Sequence, residues 1–382
     1  MKKNWVTEGY AAPNQKTYPW QWLWDSSFHA LIWNELGEPE RAQQELKEIF
    51  RPQFDSGCVP HINYVRDPDI HFDLWGRKGC SSITQPPMYG HAISHLSQTG
   101  NCPPQEVLSA ATAGLSFLLN QRDRHESGLV LLCHPWESGA DDSSRWDYFC
   151  SGDFNVDRWK IEKNRLVGTI ERSKDGSPIR NPDFLVASIG FNALLAFNAF
   201  ELASVTGDES MLHSAEEIVN AINQRWDESY LTWVDAGSHE STSGKCRTLD
   251  ALLPLLVISR GQISKKVLKE LSSNDAYRAQ YGLRGVHKSE PTFHPTKYWR
   301  GPVWPQLAYL VTLAILRFDA SLAKEVAFQV AEGAHISGFA EYWHPDTAKG
   351  QGAIPQSCAG LSLVSAKRLS NCSDKFSAIV LE

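Results

Sequence analysis

Residues 184–205 read FLVASIGFNALLAFNAFELASV, and residues 206–226 read TGDESMLHSAEEIVNAINQRW. The first stretch is apolar almost all round, which predicts a helix from Phe184 to Val205 buried on every side. The second places Leu212, Ala215, Ile218, Val219, Ile222 and Trp226 on one stripe, an amphipathic helix from Glu209 to Trp226 with one wet face. Between them stands Thr206-Gly207-Asp208, a glycine that stops one helix followed by an acid that starts the next.

The same succession recurs along the chain. Ser26 to Leu36 is apolar, Gly37-Glu38-Pro39 turns, and Glu40 to Phe50 turns Ala42, Leu46 and Ile49 inward. After Thr99-Gly100-Asn101, Pro104 opens a helix carrying Val107, Leu108, Ala111, Leu115, Leu118 and Leu119. Leu249–Ile258 with Ile263–Leu271, and Val303–Leu316 with Leu322–Glu332, are later pairs. Inner helix, short turn and outer helix, repeated, predict an all-α toroid, because inner helices touch neighbours on both flanks and outer ones cover them. An open solenoid would repeat at a fixed period, and here the spacing is irregular. Trp, His, Pro and acids concentrate in the long loops, where a rigid scaffold usually carries its site. No boundary interrupts the pattern, so residues 1–382 are expected to form a single domain, with Asp157 to Pro182 as one long polar loop.

Composition narrows the partners. The chain has 382 residues, 42% hydrophobic, and a net charge of −7, which argues against nucleic acid or an anionic membrane. No apolar run is read as long enough to span a bilayer, and Met1-Lys2-Lys3-Asn4-Trp5 turns polar too soon for a signal peptide. Eight cysteines (58, 80, 102, 133, 150, 246, 358 and 372) show no CxxC pair, so reduced thiols in a cytoplasmic protein are expected rather than disulfides or a zinc site. Neither metal nor cofactor is suggested, and the sequence does not specify an oligomeric state.

Two stretches surround a carboxylate with aromatic and small polar residues. One runs His134-Pro135-Trp136-Glu137-Ser138-Gly139-Ala140-Asp141-Asp142-Ser143-Ser144-Arg145-Trp146, the other Phe339-Ala340-Glu341-Tyr342-Trp343-His344-Pro345. Cleaving a glycosidic bond needs one carboxylic acid to protonate the leaving oxygen and one carboxylate to activate water or attack carbon. Tryptophan suits the apolar faces of sugars, and Ser138 and Gly139 let backbone approach their hydroxyls. Taken from the residues alone, Asp141 reads equally as a turn or N-cap acid, and Asp25 as the N-cap of the apolar helix after it.

Four further motifs carry a family resemblance: Tyr18-Pro19-Trp20-Gln21-Trp22-Leu23-Trp24-Asp25-Ser26-Ser27-Phe28-His29, Thr84-Gln85-Pro86-Pro87, the Trp136–Trp146 stretch, and Tyr298-Trp299-Arg300-Gly301-Pro302-Val303-Trp304. With the Glu341 segment, their order resembles the inverting (α/α)6-barrel glycosidases, the clan of trehalase, glycoside hydrolase family 63 and the mannosylglycerate and glucosylglycerate hydrolases, the last being most similar in length. The resemblance implies an (α/α)6 barrel with Asp141 as general acid and Glu341 as general base. It implies a sugar subsite gripped by Asp25 with Trp22 and Trp24, lined by Gln85, Trp136 and Gly139, and walled by Tyr18, Tyr298, Trp299, Arg300 and Trp304. In such enzymes the two carboxyls stand roughly 6.5–9.5 Å apart with water between.

Two departures stand out: Asp142 occupies a position usually neutral, where it is expected to raise the pKa of Asp141, and Ile354-Pro355-Gln356-Ser357-Cys358 replaces a more aromatic run. The bland alternatives are an ion-pair role for Arg300, a plain turn at Gln85, packing for Trp299 and Trp304, and hydrogen-bonded loop roles for His134 and His344. The expected substrate is a small α-glucoside or α-mannoside such as glucosylglycerate or mannosylglycerate, with Arg172 or Arg180 pairing the glycerate carboxylate. A trehalase-like or α-glucosidase action on a neutral sugar, and a sugar-binding protein of the same fold, are the alternatives.

Overall fold

The computed structural model describes residues 1–150 and 152–371, so Cys372 lies outside the described residues. It resolves into two compact units, Met1–Cys246 and Arg247 onward.

The first unit carries α1 (Leu23–Glu35), α2 (Pro39–Phe50), α3 (Phe72–Trp75), α4 (Tyr89–Gln98), α5 (Gln105–Asn120), α6 (Val156–Gly168), α7 (Ile189–Thr206) and α8 (Glu209–Asn223). Helix α1 packs on α2 and α4, α4 packs on α7, and α7 packs on α8. The alternation of buried and covering helices is as expected: 12 of the 18 residues of α7 are buried but only 4 of the 15 in α8. Gly207, at φ +73°, ends α7, and Asp208 accepts the Met211 N–H at 3.0 Å to begin α8. The buried stripe of α8 is Met211, Ala215, Ile218 and Ile222; Leu212 is 40% exposed, and Trp226 falls beyond the helix in a short hairpin.

Several boundaries differ from expectation for physical reasons. Val186–Ala187 pairs as a strand with Ala236–Gly237, so α7 starts only at Ile189. This helix is long and apolar enough, by length and composition, to cross a bilayer, which corrects the reading that no such run exists. Two-thirds of it is buried inside the protein (67%), where Asn192 brackets Val130 and Asn198 accepts the His91 N–H, as in a core helix. The segment after Asp157 is no single loop: α6 is followed by a hairpin pairing Glu171–Arg172 with Pro178–Arg180.

The second unit carries α9 (Gln262–Ser272), α10 (Pro305–Leu316), α11 (Ala320–Ile336) and α12 (Leu361–Asn371). Helix α10 packs on α11, on α12 and on Leu249–Leu256. That last segment, expected as a helix, is wound as 3₁₀ turns with Pro254 inside, a residue with no N–H for an α-helical bond. Helix α10 begins at Pro305 rather than Val303, because Trp304 is held extended before the proline and Val303 bonds Trp343 in both directions.

Candidate active site

In the first unit, Gln21–Trp22 pairs with Ile62–Asn63 and delivers the chain into α1. Asp25 therefore sits inside the first turn of α1, 6% exposed, where the helix dipole favours a carboxylate. It is not the N-cap, which is Trp22. The Trp24 N–H donates to Gln85 Oε1 at 3.4 Å, so buried Gln85 is tied to α1 and is more than a turn. Gly139 is required twice over: its φ is +75°, and a Cβ there would lie 2.7 Å from the Trp24 ring. Trp22 meets Tyr18 and His61 edge-on, and Trp136 stacks on His61 with ring planes 16° apart.

Beneath Trp136, buried Glu137 organises two segments at once. It receives both Nη groups of Arg122, at 3.0 and 2.6 Å, together with the main-chain N–H of Thr84 and of Cys133. The Gln85 segment and the Asp141 loop thus hang from one buried ion pair, whose breakage typically costs about 3–5 kcal/mol. His134 uses both ring nitrogens: Nε2 donates to the Lys163 carbonyl at 2.8 Å and Nδ1 accepts the Trp136 N–H at 3.2 Å. Burial holds this imidazole down at about 3, so it is a neutral loop histidine, as the sequence suggested.

Asp141 is half-buried, and its main chain is clamped by two indoles. Trp146 Nε1 donates to the Ala140 carbonyl at 2.7 Å, and Trp159 Nε1 donates to the Asp141 carbonyl at 3.0 Å. Trp159 escapes the sequence reading because α6 reads there as polar loop. Its signals are nonetheless present: Asn155 accepts from the Asp157 and Arg158 N–H groups as an N-cap, and Trp159, Leu166 and Val167 form a buried stripe. Asp142 does not stand as a bare charge beside Asp141. Lys163 Nζ binds it at 2.6 Å, both side chains being nearly buried, so the Asp142 carboxylate is ion-paired there.

The two arginines expected to pair an anionic aglycone each have partners within the chain. Arg172 Nη1 donates to the Ser82 carbonyl at 2.6 Å, while Arg180 lies at the surface between Glu171 and Asp123.

In the second unit, Glu341 is 4% exposed, and its main-chain N–H donates to the Ala353 carbonyl at 2.9 Å. The Ala353 N–H in turn donates to Glu341 Oε2 at 2.9 Å. Gly352 makes this closeness possible: its φ is +68°, and a Cβ there would overlap the same oxygen. Val303 bonds Trp343, joining the Tyr298–Trp304 segment to the strand after Glu341. Trp299, at φ +57°, stacks on Trp304 with centroids 3.8 Å apart, and Trp304 stacks in turn on Tyr342 at 4.6 Å. Both indoles and Arg300 are buried, whereas Tyr298, edge-on to Trp304 and Tyr342, is half-buried. His344 Nδ1 accepts the Asp346 N–H, the loop role expected for it.

The crystal structure of the GH63 mannosylglycerate hydrolase from Thermus thermophilus, in complex with Tris and D-glycerate, superposes with a TM-score of 0.81 at 25% identity, covering 96% of this chain and 97% of that one. Fold and site together define a glycoside hydrolase of the all-α, (α/α)6-barrel class. The mannosylglycerate hydrolase of Thermus thermophilus is 29% identical over 389 residues, 90% of this chain and 93% of its own. The glucosylglycerate hydrolase of Mycolicibacterium hassiacum is 26% identical over 411 residues, covering 89% and 90%. The profile of the mannosylglycerate hydrolase MGH1-like glycoside hydrolase domain matches residues 18–359, and the chain belongs to that family.

Proposed function

We propose that this enzyme hydrolyses a small α-glycoside of glycerate, mannosylglycerate or glucosylglycerate, with inversion. Asp141 donates its proton to the glycosidic oxygen as the C–O bond breaks; Glu341 takes a proton from the water that adds to the anomeric carbon from the opposite face. The products are the free β-sugar and glycerate. The observation that carries the roles is the contrast between the carboxylates: Asp141 rides on a carbonyl chain held by two indoles beside an ion-paired Asp142, and buried Glu341 keeps a main-chain donor on Oε2. Relatives named for both glycerate substrates support the substrate class. Asp25, Trp22, Trp24, Gln85, Trp136 and Gly139 are read as the sugar-gripping group, with Tyr18, Tyr298, Trp299, Arg300 and Trp304 as walls or their supports.

We read residues 1–382 as one catalytic domain, since the family match runs through the division at Cys246. The seven described cysteines are all free thiols, which supports a reducing, cytoplasmic setting.

A panel of glucosylglycerate, mannosylglycerate, trehalose, kojibiose, nigerose and maltose, followed by NMR of the fresh product, tests this reading. Preference for a glycerate compound with β-sugar released first is expected. An uncharged disaccharide as the only substrate would remove the anionic aglycone, and an α-sugar first would make Glu341 a nucleophile rather than a base. Asp141→Asn and Glu341→Gln should each lower kcat by at least about a hundredfold, the usual scale for losing a proton-transfer group; near-normal turnover in either would take that residue out of the reaction.

A further inference from the structure

We propose that a cleft in the second unit is a binding site for a small oxyanion, a ligand presenting several charged oxygens as phosphate and carboxylate groups do. The cleft measures about 570 Å³, within the range of small-molecule sites. It lies among the end of α9, the tight hairpin pairing Arg278–Ala279 with Gly282–Leu283, and α11.

Its charges set its ligand. Arg278, Arg284 and Lys288 line it against Glu325 and Asp346, three cations to two carboxylates, in a protein whose net charge is −7. Two of the cations are guanidiniums that water barely reaches, Arg278 at 7% and Arg284 at 4% exposure. Arg284 is occupied in holding the hairpin closed, since it donates to the Arg278 and Asn274 carbonyls and to Asp346 at 2.9 Å. Arg278 is less well answered. Its Nη2 reaches Glu325 at 3.3 Å, and that carboxylate is 64% exposed. Burial holds the Arg278 guanidinium below the ordinary arginine range, and the opposing pull of Glu325 does not restore it. Lys288 bonds the Asn274 carbonyl at 3.4 Å and meets the exposed Asp275 at 3.5 Å.

The Lys288–Asp275 pair is exposed and of a kind that contributes about 0–1 kcal/mol, and the Arg278–Glu325 pair has its carboxylate largely in water. An oxyanion taking parallel N–H bonds from the Arg278 fork, with Lys288 as a second charge, gives stronger, charge-assisted bonds in a partly dehydrated setting. The inference is independent of the roles proposed for Asp141 and Glu341.

Calorimetric titration of the full chain with inorganic phosphate, and separately with D-glycerate, at fixed ionic strength against chloride, tests it. At least one anion should bind saturably at one site in Glu341→Gln as in the parent, with affinity at least about tenfold weaker in Arg278→Gln and in Lys288→Gln. The Lys288 side chain is half-exposed, so its variant separates lost binding from lost folding. Phosphate heat that these two variants weaken would identify a phosphate-bearing ligand, and glycerate heat that they weaken a carboxylate; glycerate heat that neither variant alters belongs to the catalytic pocket and does not support the cleft. Neither anion binding better than chloride would overturn the proposal, as would unchanged affinity in both variants at parental melting temperature.

Discussion

At the scale of single residues, Gly352 shows how tightly the proposed base is held. Glu341 Oε2 lies so close to its backbone that any side chain must displace the carboxylate, and the left-handed φ adds a penalty of about 1–2 kcal/mol for a residue with a Cβ. Gly352→Ala is therefore expected to lower kcat by about 10–100-fold, because ångström-scale misplacement of a reacting group has effects of that order. KM should change much less, and steady-state kinetics beside a thermal melt will separate the two. Unaltered kcat would mean that the position of Oε2 is not critical to turnover. The special status of Gly352 is invisible in the sequence, because nothing in Gly350-Gln351-Gly352 announces that a carboxylate folds back onto it. Asp141 and Glu341, by contrast, stand in motifs whose order along the chain resembles the family's, although from its neighbours alone Asp141 reads equally as a turn acid.

At the scale of elements, α6 reaches the proposed acid, Asp141, through one indole. Trp159→Phe keeps a buried ring and deletes the donor to the Asp141 carbonyl, leaving a buried acceptor unmatched at a cost of about 1–3 kcal/mol. Both kcat and melting temperature should fall, kcat by roughly two- to tenfold if half of that energy, converted at about 1.4 kcal/mol per decade, appears at the proposed acid. Intact turnover with a lowered melting temperature would confine Trp159 to stability. Helix α6 is illegible in the sequence because its exposed face is dense in charge (Asp157, Arg158, Lys160, Glu162 and Arg165) and its buried stripe is interrupted by Lys163. Lys163 belongs inside only because Asp142 meets it there, a pairing between positions 21 apart that no local pattern reports. The paired inner and outer helices are legible for the opposite reason, since α7 and α8 declare their environments by composition alone.

For the whole molecule, acid should be the stress that unfolds it. Neutral His134 holds about 3 in the fold against an ordinary value near 6.5 when unfolded. The unfolded chain therefore binds the extra proton first, and the stability tied to neutral His134 is complete above pH 6.5 and declines as pH falls towards 3. The slope is up to about 1.4 kcal/mol per pH unit for one such group. His61, buried against Trp136 and also held well below the usual histidine range, adds in the same direction. Urea midpoints measured at about pH 7.5, 6 and 5 should fall in that order, and His134→Gln should flatten the dependence. A flat parental profile would contradict the buried neutral pair.

Cys133 turns this same corner of the molecule into a clock. Its amide serves Glu137 and its carbonyl receives Asn181, while its thiol is wholly buried and pushed far up by that burial. Alkylating reagents attack thiolates that they can reach, so this sulfur can be modified only during the intervals when the floor beneath Trp136 and Asp141 swings open. Exposed Cys102 and half-buried Cys150 should label first, marking zero time. The lag before iodoacetamide appears on the Cys133 peptide then measures how often the catalytic loop breathes. A sugar that occupies the Trp136 side should lengthen that lag in proportion to its occupancy, so the enzyme carries its own reporter of when its proposed acid is held in place.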